Sequence, residues 1–178
     1  PLPGLAKTRL VPVLGEHGAA ALAARLLEHA VQQAAAARFD ALQLCVTPDA
    51  PHPLFQRLQA ELGLELCDQG EGDLGARMHR ALARALAQHA RVLLIGSDVP
   101  ALDAALLQRA DAALVHADAV FVPAWDGGYA LVGLKRPTPA LFDGVAWSTG
   151  QVMAQTRERA AAAGLQLAAI SLRTAPDP

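Results

Sequence analysis

Apolar positions follow two rhythms along this chain, and the rhythms alternate. Residues 16–38 have helical composition, with Leu22, Leu26, Leu27, Ala30 and Val31 recurring at helical spacing. Ala41 to Thr47 reads as a strand stopped by Pro48. Leu54 to Leu62 reads as a short helix ended by Gly63, and 64–67 as a short strand. Asp73 to His89 predicts a helix with Asp73 as its cap. Arg91 to Ile95 is the strongest strand, an unbroken apolar run that predicts burial on both faces. A helix over 104–115, strands over 119–123 and 128–134, a helix over 149–163 and a strand over 165–172 complete the series.

Strands that alternate with helices predict an α/β fold with a mostly parallel sheet. The gap between 119–123 and 128–134 is too short for a helical crossover, so that pair predicts one antiparallel element. The 178 residues suit one domain covering 1–178. A Gly-containing loop that opens a helix is normally fed by a strand. Here the loop comes first, so a further strand is expected before Pro1.

Composition narrows the partners. Apolar residues are 53% and charged residues 18%, which excludes a disordered chain. A net charge of −2 without a basic stripe argues against a nucleic-acid partner. No uninterrupted apolar run approaches the roughly 20 residues of a membrane span, so no membrane association is expected. Cys45 and Cys67 are the only cysteines. Their spacing suggests neither a zinc site nor a disulfide, which fits a cytoplasmic location. The six histidines include no pair at metal-binding spacing and read as surface or packing residues. No nucleophile elbow is present.

Five segments carry chemistry. Pro3-Gly4-Leu5-Ala6-Lys7-Thr8-Arg9 can offer phosphates backbone N–H groups, a mobile ammonium and a guanidinium fork. Gly70-Glu71-Gly72-Asp73-Leu74-Gly75 runs three glycines into a helix N-terminus, a natural anion site. Gly96-Ser97-Asp98-Val99-Pro100 places a carboxylate at the tip of the 91–95 strand, where it can share Mg²⁺ or Mn²⁺ with phosphate oxygens. Asp103 is the better cap for the following helix, which leaves Asp98 to function. Trp125-Asp126-Gly127-Gly128-Tyr129 signals a hairpin, and its second glycine suggests close approach by a ligand. Trp147-Ser148-Thr149 opens a helix, with hydroxyls that can cap it or reach a substrate.

In this order, the motifs resemble the bacterial family of small glycosyltransferase-A-like (GT-A-like) proteins, a domain of unknown function often described as a glycosyltransferase. That family is similar to the nucleotide-diphospho-sugar transferases, including the guanylyltransferases for 2-phospholactate and for the molybdenum cofactor. The resemblance implies a Rossmann-like three-layer sandwich with one antiparallel strand. It implies that Lys7, Arg9 and Asp98 are catalytic, with Lys7 and Arg9 on a triphosphate and Asp98 on Mg²⁺ or Mn²⁺. Gly4, Gly72, Asp73, Leu74, Gly75 and Ser97 would then line the nucleotide. Asp126, Gly127, Gly128, Ser148 and Thr149 would line a small-molecule acceptor. Relatives carry a strand before the Pro-Gly loop and an acidic C-terminal segment that supplies a second metal ligand. Here either Asp177 is its shifted counterpart or the chain stops short of it.

These features favour nucleotidyl transfer from an NTP to a phosphorylated or hydroxyl acceptor, because a triphosphate needs more cationic cover than a sugar diphosphate. Glycosyl transfer from a nucleotide-diphospho-sugar is the rival reading. A nucleotide-binding domain without turnover is the third.

Overall fold

The structure, a computed structural model, describes residues 1–47 and 52–172. Pro48 and Asp177 lie outside them. The chain divides into two compact units, Pro1–Asp68 with Ser97–Ala104, and Gln69–Gly96 with Ala105–Pro178.

The first unit opens with turns and a 3-10 helix, Thr8–Leu10, that leads into helix α1, Val11–Ala36. Gly15 at φ 68 breaks α1, so the regular helix starts at Glu16, where the composition placed it. Strand β1 (Gln43–Val46), helix α2 (Pro53–Leu62) and strand β2 (Glu65–Asp68) follow. β1 and β2 pair in parallel. Val31 of α1, Leu54 and Leu58 of α2 and Leu64 form the buried centre, and Leu44 and Leu66 pack on it. Glu28 of α1 pairs with Arg57 of α2.

The helical stretch Thr8–Ala36 is 29 residues long, and an 18-residue window within it has a mean hydropathy of 1.3, enough by length and composition to cross a bilayer. The expectation that nothing approaches that length is corrected here. It considered uninterrupted runs, whereas this stretch reaches its length with Glu16, Arg25 and Glu28 inside it and with the break at Gly15. Its Ala24, Leu27 and Val31 are committed to the core of the first unit.

The second unit contains α3 (Leu74–Leu86), β3 (Val92–Ile95), α4 (Ala104–Leu114, whose first residue belongs to the first unit), β4 (Ala119–Pro123), β5 (Tyr129–Leu134), α5 (Val152–Ala162) and β6 (Leu167–Ala169). Its sheet runs β3-β5-β4-β6. β5 is antiparallel to both β3 and β4, while β4 and β6 are parallel, so β5 is the antiparallel strand the short turn predicted. Leu82, Phe121, Val132, Leu134 and Leu141 form the core. Each such side chain contributes about 1.5–3 kcal/mol through burial.

One expectation fails in this sheet. Val92–Ile95 is not the most buried strand, since all four residues are only half-buried. Ala119–Val122 and Leu131–Val132 are fully buried instead. β3 pairs only with β5, so it is an edge strand among the described residues. An apolar run reports hydrophobicity, but burial also depends on how many neighbours the sheet supplies.

Candidate functional site

In the first unit the Lys7 ammonium donates to Asp98 Oδ2 at 2.8 Å, across 91 positions of sequence. Lys7 has φ 50, a left-handed conformation that a residue with a side chain adopts only under constraint. The constraint is local. Leu5 and Ala6 N–H both donate to Leu2 carbonyl, and Leu10 N–H donates to Lys7 carbonyl. Asp98 is 55% exposed and Lys7 29%. Arg9 and Ser97 are exposed close by in sequence, and Arg9 has no side-chain partner among the described residues. Gly4 lies beside the Glu16 carboxylate.

The turn that carries Asp98 is fastened to α1. His29 Nε2 donates to Pro100 carbonyl at 3.0 Å, and Gln33 Oε1 accepts from Ala104 N–H at 3.1 Å. The Asp98 side chain pairs with Lys7, while the Ala104 N–H at the start of α4 is taken by Gln33. The histidine reading needs refinement, because His29 positions the turn that bears the carboxylate.

The second unit holds the other motifs. Asp73 caps α3 by accepting from Ala76 N–H at 2.8 Å. Arg80 donates to Gln69 and Glu71 carbonyls, and Arg77 Nε donates to Gly72 carbonyl. The loop carbonyls are thereby drawn onto α3. The N–H groups of Gly72, Leu74 and Gly75 have no partner among the described residues. Such an arrangement suits an anion. Arg77 and Arg80 are positioning residues that helical patterning alone does not reveal. Gly75 packs against Trp147, where an added Cβ would lie 2.6 Å from indole Nε1.

The hairpin turn is locked by the protein itself. Asp126 Oδ1 accepts from Gly128 N–H at 3.0 Å, and Ala124 N–H donates to Gly128 carbonyl. Gly127, at φ +85, meets the backbone of Gly150, and its carbonyl accepts from Met153 N–H at 2.8 Å. The glycine needed for close approach is therefore the first of the pair, and the approaching group is the chain itself. Gly128 has only Asp126 nearby.

Thr149 Oγ1 donates to Ala146 carbonyl and accepts from Gln151 N–H, so its hydroxyl serves the turn before α5. That turn delays α5 to Val152 instead of the expected 149. Ser148 is exposed in the left-handed region. Tyr129 and Trp147 meet edge to face at 6.4 Å. Tyr129 O–H and Trp147 Nε1–H are buried without a protein partner among the described residues. Burial pushes the Tyr129 phenol well above its ordinary value.

A divalent ion can be tested against this donor set. Among the described residues no group of three or more acidic, His or Cys side chains could hold a metal. Asp98 alone fits an ion of the Mg²⁺ type, which keeps waters and is completed by substrate phosphates. Lys7 shows that its carboxylate accepts a cation.

These features define an α/β protein of the Rossmann-like GT-A class. The chain superimposes on the crystal structure of a "putative nucleotide-diphospho-sugar transferase" from Desulfovibrio desulfuricans G20 with a TM-score of 0.84 and 34% identity, covering 95% of this chain and 74% of that one. Residues 23–149 match the family described as "Uncharacterized protein conserved in bacteria (DUF2064)", and the chain belongs to that family. No curated protein matches it significantly.

Proposed function

We propose that this chain is a metal-dependent transferase that takes its group from a nucleotide-activated donor, with glycosyl transfer from a nucleotide-diphospho-sugar as the first reading. The Lys7–Asp98 pair carries the phosphate-and-metal part of that reading, because it sets an ammonium beside an exposed carboxylate on a braced turn. The Desulfovibrio relative supports the sugar-diphosphate donor class.

Asp98 would hold Mg²⁺ or Mn²⁺, which supplies charge neutralisation for the diphosphate leaving group. Lys7 donates to the Asp98 carboxylate. Lys7 would serve the phosphate oxygens of the bound donor and stabilise the charge that develops there. No protein nucleophile is required.

Nucleotidyl transfer from an NTP is the second reading. Arg9 favours it, as an exposed second cation two residues from Lys7. Incubation with each labelled NTP and nucleotide-sugar, plus Mg²⁺ or Mn²⁺, separates the two. Release of nucleoside diphosphate supports glycosyl transfer, and pyrophosphate supports nucleotidyl transfer. Nucleotide binding without either product identifies a non-catalytic domain. Asp98→Ala should lower turnover about 10²- to 10³-fold, the size of effect seen when one preorganised electrostatic contact is removed. Unchanged turnover in that variant would overturn the metal assignment.

A further inference from the structure

The chain has two cysteines, 22 positions apart in sequence, and the fold sets them opposite each other: Cys45 of β1 and Cys67 of β2 are register partners in a parallel pair. Register partners on neighbouring strands present side chains to the same face. Leu44 and Leu66 pack on the helical core of the unit, so alternation sends Cys45 and Cys67 to the opposite face. Gln43 and Glu65 lie on that face too, and Gln43 Nε2 donates to Glu65 Oε2 at 2.7 Å. Both cysteines are thiols and are partly exposed. Neighbouring strands are about 4.8 Å apart, within the roughly 4.4–6.8 Å Cα separation of disulfides.

From this juxtaposition we infer that Cys45 and Cys67 are a dithiol modification site, closed reversibly to an intrachain disulfide by a low-molecular-weight disulfide such as oxidised glutathione. One cysteine thiolate attacks a glutathione sulfur, which forms a mixed disulfide and releases one glutathione. The second thiolate attacks the protein sulfur of that mixed disulfide and releases the other. The protein loses two electrons and two thiol protons, and both appear on the two released glutathione thiols. Sheet spacing holds Cβ atoms somewhat farther apart than the roughly 3.8 Å of a relaxed disulfide. The bond therefore draws the strands together and is readily reduced.

The test uses the full chain in its folded state, treated with oxidised glutathione and followed by intact mass and peptide mapping. The wild type should lose two hydrogens, yield a Cys45–Cys67 cross-linked peptide and return to the dithiol with dithiothreitol. Cys45→Ser and Cys67→Ser should each keep a single glutathione adduct, because no neighbour is left to displace it. Wild type that retains glutathione on either cysteine, or that stays unmodified, overturns the inference. The wild-type peptide map alone decides the matter should either variant fail to fold.

Discussion

The turn at Asp98 and the turn at Asp126 both carry an Asp of a sequence motif, yet they are built in opposite ways. Asp98 is exposed, and its carboxylate meets a lysine brought from 91 positions away. Asp126 is committed to its own turn through Gly128 N–H, and the glycine between them touches the backbone of Gly150. The first turn exposes charge on a scaffold braced by His29 and Gln33. The second uses its motif to let two chain segments meet. A motif residue thus divides into chemistry or architecture according to what its atoms already satisfy.

The strongest way to break this contrast is Gly127→Ala. Its Cβ would lie 2.2 Å from Gly150 carbonyl oxygen, and its φ of +85 is one that alanine resists. Backbone cannot yield as a side chain does, so the loss should be about 3 kcal/mol or more in urea unfolding. Gly128→Ala, with only Asp126 Oδ1 at 3.3 Å, should cost much less. Equal losses at the two positions would remove the architectural reading of Gly127. Next in size is Gly75→Ala, whose Cβ would meet Trp147 Nε1 at 2.6 Å and Phe142 carbonyl oxygen at 2.8 Å. A loss of about 1–3 kcal/mol is expected from such overpacking, visible as a lower melting temperature without any ligand. A melting temperature equal to wild type would return Gly75 to a purely ligand-facing role.

Much of this was legible from the order of residues. Among the described residues, alternating periodicity placed the six β-strands and five α-helices but not the 3-10 helices, and the short gap after Pro123 marked β5 as antiparallel. Asp98 stood out as a candidate because a carboxylate after a strand end has few structural reasons to be there, and its pairing with Lys7 keeps it one. The braces were not legible. His29, Gln33, Arg77 and Arg80 act on backbone carbonyls or N–H groups, which carry no side-chain signature, and both α1 contacts span 71 positions. Gly127 could not be ranked above Gly128, because the difference lies at Gly150. The burial of β3 was misread for a similar reason: its apolar run is local, while its edge position belongs to the sheet.

A smaller effect comes from Tyr129, the only tyrosine, whose buried hydroxyl lacks a protein partner among the described residues. Its phenol is held above the ordinary value near 10 by desolvation. The folded state therefore keeps the proton while the unfolded state releases it above that value. The stability this group contributes is fully present below pH 10 and declines as pH rises from there toward the folded value. The slope reaches at most about 1.4 kcal/mol per pH unit for one group. Tyr129→Phe should flatten the alkaline decline and leave neutral stability nearly unchanged. An alkaline decline as steep in Tyr129→Phe as in wild type would assign it to other groups.

The smallest expected change is the most discriminating. Asp98→Ala removes the ion pair with Lys7, but that pair is exposed at both ends. Exposed pairs contribute roughly 0–1 kcal/mol, since water screens the attraction and ordering two side chains offsets part of it. Neither Pro100 nor Ala104 takes its brace from the Asp98 side chain, so the turn should persist. Urea unfolding of Asp98→Ala should therefore fall within about 1 kcal/mol of wild type. Stabilisation by Mn²⁺ with nucleotide, read as a thermal shift, should disappear in the same variant. A loss of several kcal/mol without ligand would make Asp98 a structural residue like Gly127, and the contrast between the two turns would collapse.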